Sequence, residues 1–299
     1  MDELIADYEQ ALRAEGRSPR TIEWYEMFLR EFCRFAGRAG RTLTLDDLSP
    51  PVARRWLVAL RSRPKPPAPA SLAGRVRSLR AFGSWIQSEF ELDRHPLQGL
   101  KTPRVPRTLI HSLRDSDVRA LLAAAGQGPC GDRDAALLLV MLDSGIRLSE
   151  VSGLHVADVD FENGYCQVMG KGSKERRVPL GRSARRALRR IVLARGHVAA
   201  SAPLFIAATG EPLSRSGVQK IVRRAADRAG LEVRCSPHIL RHTFARSFLA
   251  NGGDVFSLQR ILGHSPASLD VTRRYVELLD EDLREVHRRA SPMDLLRHR

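Results

Sequence analysis

From His95 to Pro106 the chain carries Pro96, Pro103 and Pro106 and shows no hydrophobic period. Proline lacks a backbone donor and pushes the residue before it away from the α region, so no helix or central strand runs through such a stretch. It reads as a linker, and 299 residues leave enough chain on either side for a core of its own. We therefore expect a first domain over residues 1–100, a linker over 101–108 and a second domain over 109–299.

The first part reads as helices throughout. Leu4, Ile5, Tyr8 and Leu12 keep helical spacing up to Gly16. Ser18-Pro19 opens a second helix whose stripe of Trp24, Tyr25, Phe28, Leu29, Phe32 and Phe35 suits a core better than a base-stacking platform. Ser49-Pro50 opens a third, through Trp56 and Leu60. A Pro-rich loop over 62–70 precedes a fourth, from about Ser71 to Phe90. The run from Arg54 to Arg80 holds Arg54, Arg55, Arg61, Arg63, Lys65, Arg75, Arg77 and Arg80 and no acid, which favours phosphate contact over a merely solvated face.

The second part is also mainly helical, with one short β segment. Helices are expected from Leu113 to Ala125, from Asp132 to Leu142 and from Ser149 to Leu154, the last two joined by a break that carries Arg147. Tyr165–Met169 and Glu175–Leu180 read as a hairpin around Gly170-Lys171-Gly172-Ser173-Lys174. The chain has five lysines among 49 Lys and Arg, and two lie in this turn; Lys, unlike Arg, can be tuned to release a proton. Basic helices follow from Arg182 to Arg195 and over 214–230, the second with Arg215, Lys220, Arg223 and Arg224.

Net charge is +15, of which residues 1–100 contribute +3 and residues 101–299 contribute +12. A polyanion is the partner this implies, and nucleic acid is the leading one. No apolar run is long enough to span a bilayer, so no membrane is expected. Cys33, Cys130, Cys166 and Cys235 form no C-x-x-C pair, which suits a reduced, cytoplasmic protein. No phosphate-binding loop or dinucleotide fingerprint occurs, so no nucleotide cofactor is implied.

One helix turn concentrates the chemistry. Ser236 can cap it and Pro237 fits its first position, so His238, Arg241 and His242 fall at i, i+3 and i+4 on one face. A guanidinium fork beside imidazoles suits a phosphodiester: arginine grips non-bridging oxygens and histidine moves a proton. A zinc site is the competing reading of the His pair. The residues between supply no Glu base, and the Arg charge opposes a metal.

These residues resemble the tyrosine recombinase (phage-integrase) family, and the two-domain layout is similar to its Xer-type members. Ser144-Gly145-Ile146-Arg147-Leu148-Ser149-Glu150 resembles the family's first-arginine box, Gly170–Arg176 its lysine hairpin, His238-Ile239-Leu240-Arg241-His242 its His-x-x-Arg box and Leu262-Gly263-His264-Ser265 its second histidine box. Tyr275 follows where the nucleophile belongs, after a Ser265–Ser268 stretch that makes the spacing longer than usual.

The resemblance implies a mainly α fold with a small β-hairpin or sheet in the catalytic domain. It also implies a two-domain C-shaped clamp around DNA, with a SAM-like core-binding first domain. The implied function is a site-specific recombinase working through a 3′-phosphotyrosyl intermediate without ATP, cofactor or metal, as a homo-tetramer or as a hetero-tetramer with a second recombinase. Chromosome-dimer resolution and integration or excision of a mobile element both use this scaffold. In the implied roles, Tyr275 attacks, Arg147 and Arg241 stabilise the phosphate, Lys171 protonates the leaving oxygen, His238 assists proton removal and His264 bonds a non-bridging oxygen. His242 is expected to be structural. Arg54, Arg55, Arg75, Arg77, Arg80, Arg215, Lys220 and Arg223 are the candidate DNA contacts. The alternatives are a monomeric topoisomerase-like enzyme with the same residues and a DNA-binding regulator that has lost catalysis.

Overall fold

The computed structural model describes residues 1–37, 44–106, 112–170, 175–263 and 287. The chain separates into two compact units, residues 1–108 and 109–299. Each has its own core.

In the first unit α1 (Asp2–Ala14), α2 (Pro19–Ala36), α3 (Pro50–Arg61) and α4 (Pro69–Glu89) enclose Ile5, Tyr8, Leu29, Phe32, Trp56, Leu60, Leu79, Phe82 and Ile86, all buried. Ser18 caps α2 by accepting the Thr21 N–H at 3.2 Å, with Pro19 at the first position, as the sequence signature demands. Phe28 and Phe32 are buried as expected, but Trp24 remains 36% exposed. Trp24 lies against Gly74 of α4, where a Cβ would sit 2.8 Å from its ring carbons, so the missing side chain is what admits the indole. The fourth helix starts at Pro69, earlier than the proline-rich sequence suggests, because proline is well suited to a first helical position.

The stretch read as linker begins later than His95. Leu97 and Leu100 are buried in the first unit's core, and the His95 ring lies 3.1 Å from the Arg80 carbonyl and accepts the Leu97 N–H at 2.9 Å. Two apolar side chains without a period left no pattern to read, yet they are enough to seat the segment.

The second unit runs α5 (Asp115–Ala125), α6 (Gly131–Ser144), α7 (Leu148–Val151), β1 (Val159–Asp160), β2 (Tyr165–Met169), β3 (Glu175–Pro179), α8 (Arg182–Leu193), α9 (Arg215–Arg228), α10 (Pro237–Ala250) and α11 (Val255–Leu262). The strands form an antiparallel sheet in the order β1-β2-β3, with Cys166 opposite Val178 and Val168 opposite Arg176. Strand β1 is two residues long and escaped the sequence reading, since a period of two cannot show in two residues. Cys166, Val168 and Val178 face the core, where α6 is buried along most of its length through Ala136, Leu137, Leu138, Val140 and Met141. Leu240 of α10 joins this core, while Phe244, Ala245 and Leu249 pack with Leu258 and Leu262 of α11 in a second cluster. Among the described residues no helix is long and apolar enough to cross a membrane.

Candidate active site

Two helices of the second unit end on a left-handed glycine. Gly145 closes α6 at φ +60° and Gly263 closes α11 at φ +62°. For other residues that conformation costs about 1–2 kcal/mol. Space enforces the choice as well: a Cβ on Gly145 would collide with the Phe244 ring and lie 2.8 Å from Leu262 Cδ2. The tight turns leave carbonyls exposed to donors, and two arginines take them.

Arg241 of α10 is buried, at 6% exposure. Its Nη1 donates to the Gly145 carbonyl at 2.6 Å and its Nη2 to the Leu262 carbonyl at 2.7 Å. The guanidinium thus bridges the ends of α6 and α11. Arg147, two residues after Gly145, opens α7. Its Nη2 donates to the Gly263 carbonyl at 2.8 Å, next to the carbonyl that Arg241 uses. Both arginines are therefore fixed at one helix end.

Glu150 organises the rest. Its side chain is 3% exposed and accepts the Arg147 backbone N–H at 2.8 Å through Oε2 and Arg147 Nη1 at 2.8 Å through Oε1. Arg176 of β3 adds a parallel fork, Nη1 to Oε1 at 2.7 Å and Nη2 to Oε2 at 2.8 Å. Burial works to raise the Glu150 pKa. The Arg176 fork, the Arg147 N–H and the Arg147 guanidinium outweigh it and hold the carboxyl down at about 2.

His238 and His242 lie on α10 with their rings 5.3 Å apart, edge to face. Part of the His238 ring is exposed, but burial of the rest, followed by the Arg241 charge, lowers its pKa from the usual histidine value. It is thus biased towards the neutral form that can accept a proton. Ser236 caps the helix, accepting the Ile239 N–H at 3.4 Å. Thr243 Oγ1 accepts the Leu113 N–H at 3.0 Å, tying the segment before α5 to this helix.

Of the catalytic candidates, Arg147, His238 and Arg241 lie within the described residues, and Lys171, His264 and Tyr275 lie outside them. The sequence boxes contain Glu150 and Arg176 but do not mark either as a site residue. Glu150 did leave a signal: a Glu three residues after the N-cap is half of a capping box. Arg176 closes the hairpin box, but nothing in the sequence points to its role, because its partners lie on other elements.

The candidate DNA contacts divide. Arg54, Arg55, Arg77, Arg80, Arg215, Lys220 and Arg223 are exposed, the last 3.8 Å from Asp227. Arg75 is not available in the same way. Its Nε donates to Glu31 at 2.8 Å, its Nη1 to Ser71 Oγ at 2.5 Å, and its guanidinium covers the Phe28 ring at 4.4 Å. Arg63 also pairs with Glu31, at 2.9 Å. Two members of the basic run thus pair with Glu31, Arg75 largely buried and Arg63 at the surface.

In a helical unit with a three-stranded sheet, paired arginines at one helix end can stabilise charge that develops on a phosphodiester, as enzymes acting on phosphodiesters require. The profile of the phage integrase family matches residues 111–282, and that of the phage integrase N-terminal SAM-like domain matches residues 5–89. The chain belongs to the phage integrase family, the tyrosine recombinases, which cleave and rejoin DNA. It is 37% identical to the tyrosine recombinase XerC of Salmonella typhi over 294 residues, covering 97% of this chain and 96% of that one. Its fold matches the XerH site-specific recombinase bound to a palindromic difH substrate, with a TM-score of 0.73, 22% identity and coverage of 94% of this chain and 82% of that one. It also matches a lambda integrase dimer bound to a core site, with a TM-score of 0.74, 18% identity and coverage of 92% and 94%.

Proposed function

We propose that the chain is a Xer-type site-specific recombinase that binds double-stranded DNA in the cytoplasm. Residues 1–100 form its core-binding domain and residues 109–299 its catalytic domain, and it acts as a tetramer, alone or with a second recombinase. The observation that carries the reading is the pairing of Arg147 and Arg241 on the adjacent carbonyls of Gly263 and Leu262, which holds two cations at one helix end, immediately before His264 in sequence.

In this reading the Tyr275 oxygen attacks the scissile phosphorus and the bond to the 5′-oxygen breaks. A phenol of pKa about 10 is a poor nucleophile at neutral pH, so its proton must be drawn off as it attacks, and His238 in its neutral form accepts it. Arg147 and Arg241 neutralise the non-bridging oxygens as charge builds in the pentacoordinate transition state. Lys171 gives a proton to the departing 5′-oxygen, and His264 hydrogen-bonds a non-bridging oxygen. The 3′-phosphotyrosyl diester keeps the phosphodiester energy, so attack by a 5′-hydroxyl reseals the strand without ATP.

Covalent capture tests this. The wild-type protein and Tyr275→Phe are mixed with genomic DNA and denatured, and the protein-linked ends are sequenced. The reading requires enrichment of one short, near-palindromic site with the wild type and none with the variant. A site near a replication terminus indicates chromosome-dimer resolution, and a site at the end of a mobile element indicates integration or excision. Covalent linkage by Tyr275→Phe, or none by the wild type, overturns the reading. Linkage scattered over the DNA overturns site specificity.

A further inference from the structure

We infer that Arg176 is a positioning residue for catalysis: by filling both oxygens of Glu150 it stops Arg147 from closing its own fork on that carboxylate and so leaves the Arg147 guanidinium facing the substrate. The inference deepens the function proposed above and rests on it, since it takes Arg147 as a group that meets the phosphate.

A buried carboxylate and a guanidinium prefer the parallel two-bond fork, and one carboxylate edge holds one such fork. At Glu150 two guanidinium groups compete for that edge. Arg176 has it, with bonds of 2.7 Å and 2.8 Å to the two oxygens. Arg147 makes one side-chain bond to Oε1 and turns its other terminal nitrogen to the Gly263 carbonyl. Among the described residues its Nε takes no acceptor. Its side chain is 32% exposed, against 13% for Arg176. One arginine takes the carboxylate's fork, so that the other keeps only a single side-chain bond to it.

Arg176 is held in that role from three sides. Its backbone is fixed by the sheet register opposite Val168. Its Nε donates to the Ile261 carbonyl at 2.9 Å. Its aliphatic stem lies along the α11 end, where a Cβ on Gly263 would stand 2.9 Å from Arg176 Cδ and Nε. With Nε and both Nη atoms engaged on the protein, Arg176 does not itself reach for a phosphate. Without it, Arg147 is already 2.8 Å from Oε1 and needs only to turn its guanidinium to take the vacated fork, which withdraws its donors from the substrate.

The test uses the whole protein, the duplex recovered by covalent capture and a matched duplex with a methylphosphonate at the scissile position. The methylphosphonate has lost one negative charge, so its transition state asks less of a guanidinium. Arg176→Met should bind the duplex as the wild type does, cleave the phosphodiester about a hundredfold more slowly, and recover to within a few-fold on the methylphosphonate. Arg147→Ala should show the same pattern, being the group acted through. Arg176→Lys, with a charge but no fork, should fall between wild type and Arg176→Met. Equal slowing on both substrates makes Arg176 merely structural and overturns the inference, as does a wild-type rate on the phosphodiester. If Arg176→Met fails to fold, the ratio of the two rates in Arg176→Lys decides, and a wild-type ratio overturns the inference. Arg147→Ala cleaving the phosphodiester at the wild-type rate overturns the assignment of Arg147 itself.

Discussion

Replacing Glu150 by glutamine removes one charge and almost no volume, and its cost can be worked from the site. The carboxyl is held from 4.5 down to about 2 by Arg176 and Arg147 against the opposing effect of burial. At about 1.4 kcal/mol per pH unit, this preference for the ionised form amounts to about 3 kcal/mol. The side chain is 3% exposed, so solvent screening removes little of it. The figure agrees with the roughly 3–5 kcal/mol lost when one partner of a buried pair is removed. The pH dependence follows from the sign. A depressed carboxyl pKa stabilises the fold fully above about pH 4.5, and that stabilisation disappears as pH falls towards about 2. The wild type should therefore exceed Glu150→Gln by about 3 kcal/mol at neutral pH, with the gap closing below about pH 4.5. Denaturant unfolding can assign the change to one unit. All three tryptophans, Trp24, Trp56 and Trp85, lie in residues 1–108, so their fluorescence follows the first unit and far-UV circular dichroism follows both. The second transition should shift while the first stays put. A gap equally large at about pH 2, or one below about 1 kcal/mol at neutral pH, would refute the account of the carboxylate as the ionised hub.

Gly145→Ala should destabilise the second unit by about 3 kcal/mol, combining the left-handed backbone with overlap on Phe244 and Leu262, whereas Gly210→Ala, at φ +87° with nothing within 4 Å, should cost about 1 kcal/mol in the same denaturation assay. Arg75→Ala should destabilise the first unit by about 2 kcal/mol in a tryptophan-monitored unfolding curve, because it leaves one Glu31 oxygen without its arginine, the other staying with the more exposed Arg63, and uncovers Phe28. Arg77→Ala should leave that curve unchanged and lower the salt slope of DNA binding by about 1. The His238 proton should titrate below the usual histidine midpoint in an NMR titration, so the acid limb of the cleavage rate should fall below that value too; a midpoint above it would remove His238 as the neutral proton acceptor.

Much of this chain is written locally. Ser18-Pro19 and Ser236-Pro237 start helices because a side-chain acceptor and a pre-set φ satisfy a helix end without outside help. Gly145 and Gly263 end α6 and α11 in the left-handed region. The order of the arginine, lysine and histidine boxes named the family from sequence alone, and the profile over residues 111–282 agrees. What the sequence left open was which cations are spent and which are kept. Arg75 and Arg77 look alike in a basic run, but Arg75 meets Glu31 across 44 residues and is lost to the interior. Arg147 and Arg176 both reach Glu150, from 3 and 26 residues away, and only the geometry assigns the fork to Arg176. Arg241 finds its acceptors 96 and 21 residues away. Caps, turns and periods act within a few residues, so the sequence alone determined the elements and their chemistry. Competition among several arginines for one buried carboxylate is settled by distances between elements, and those exist only once the cores have packed.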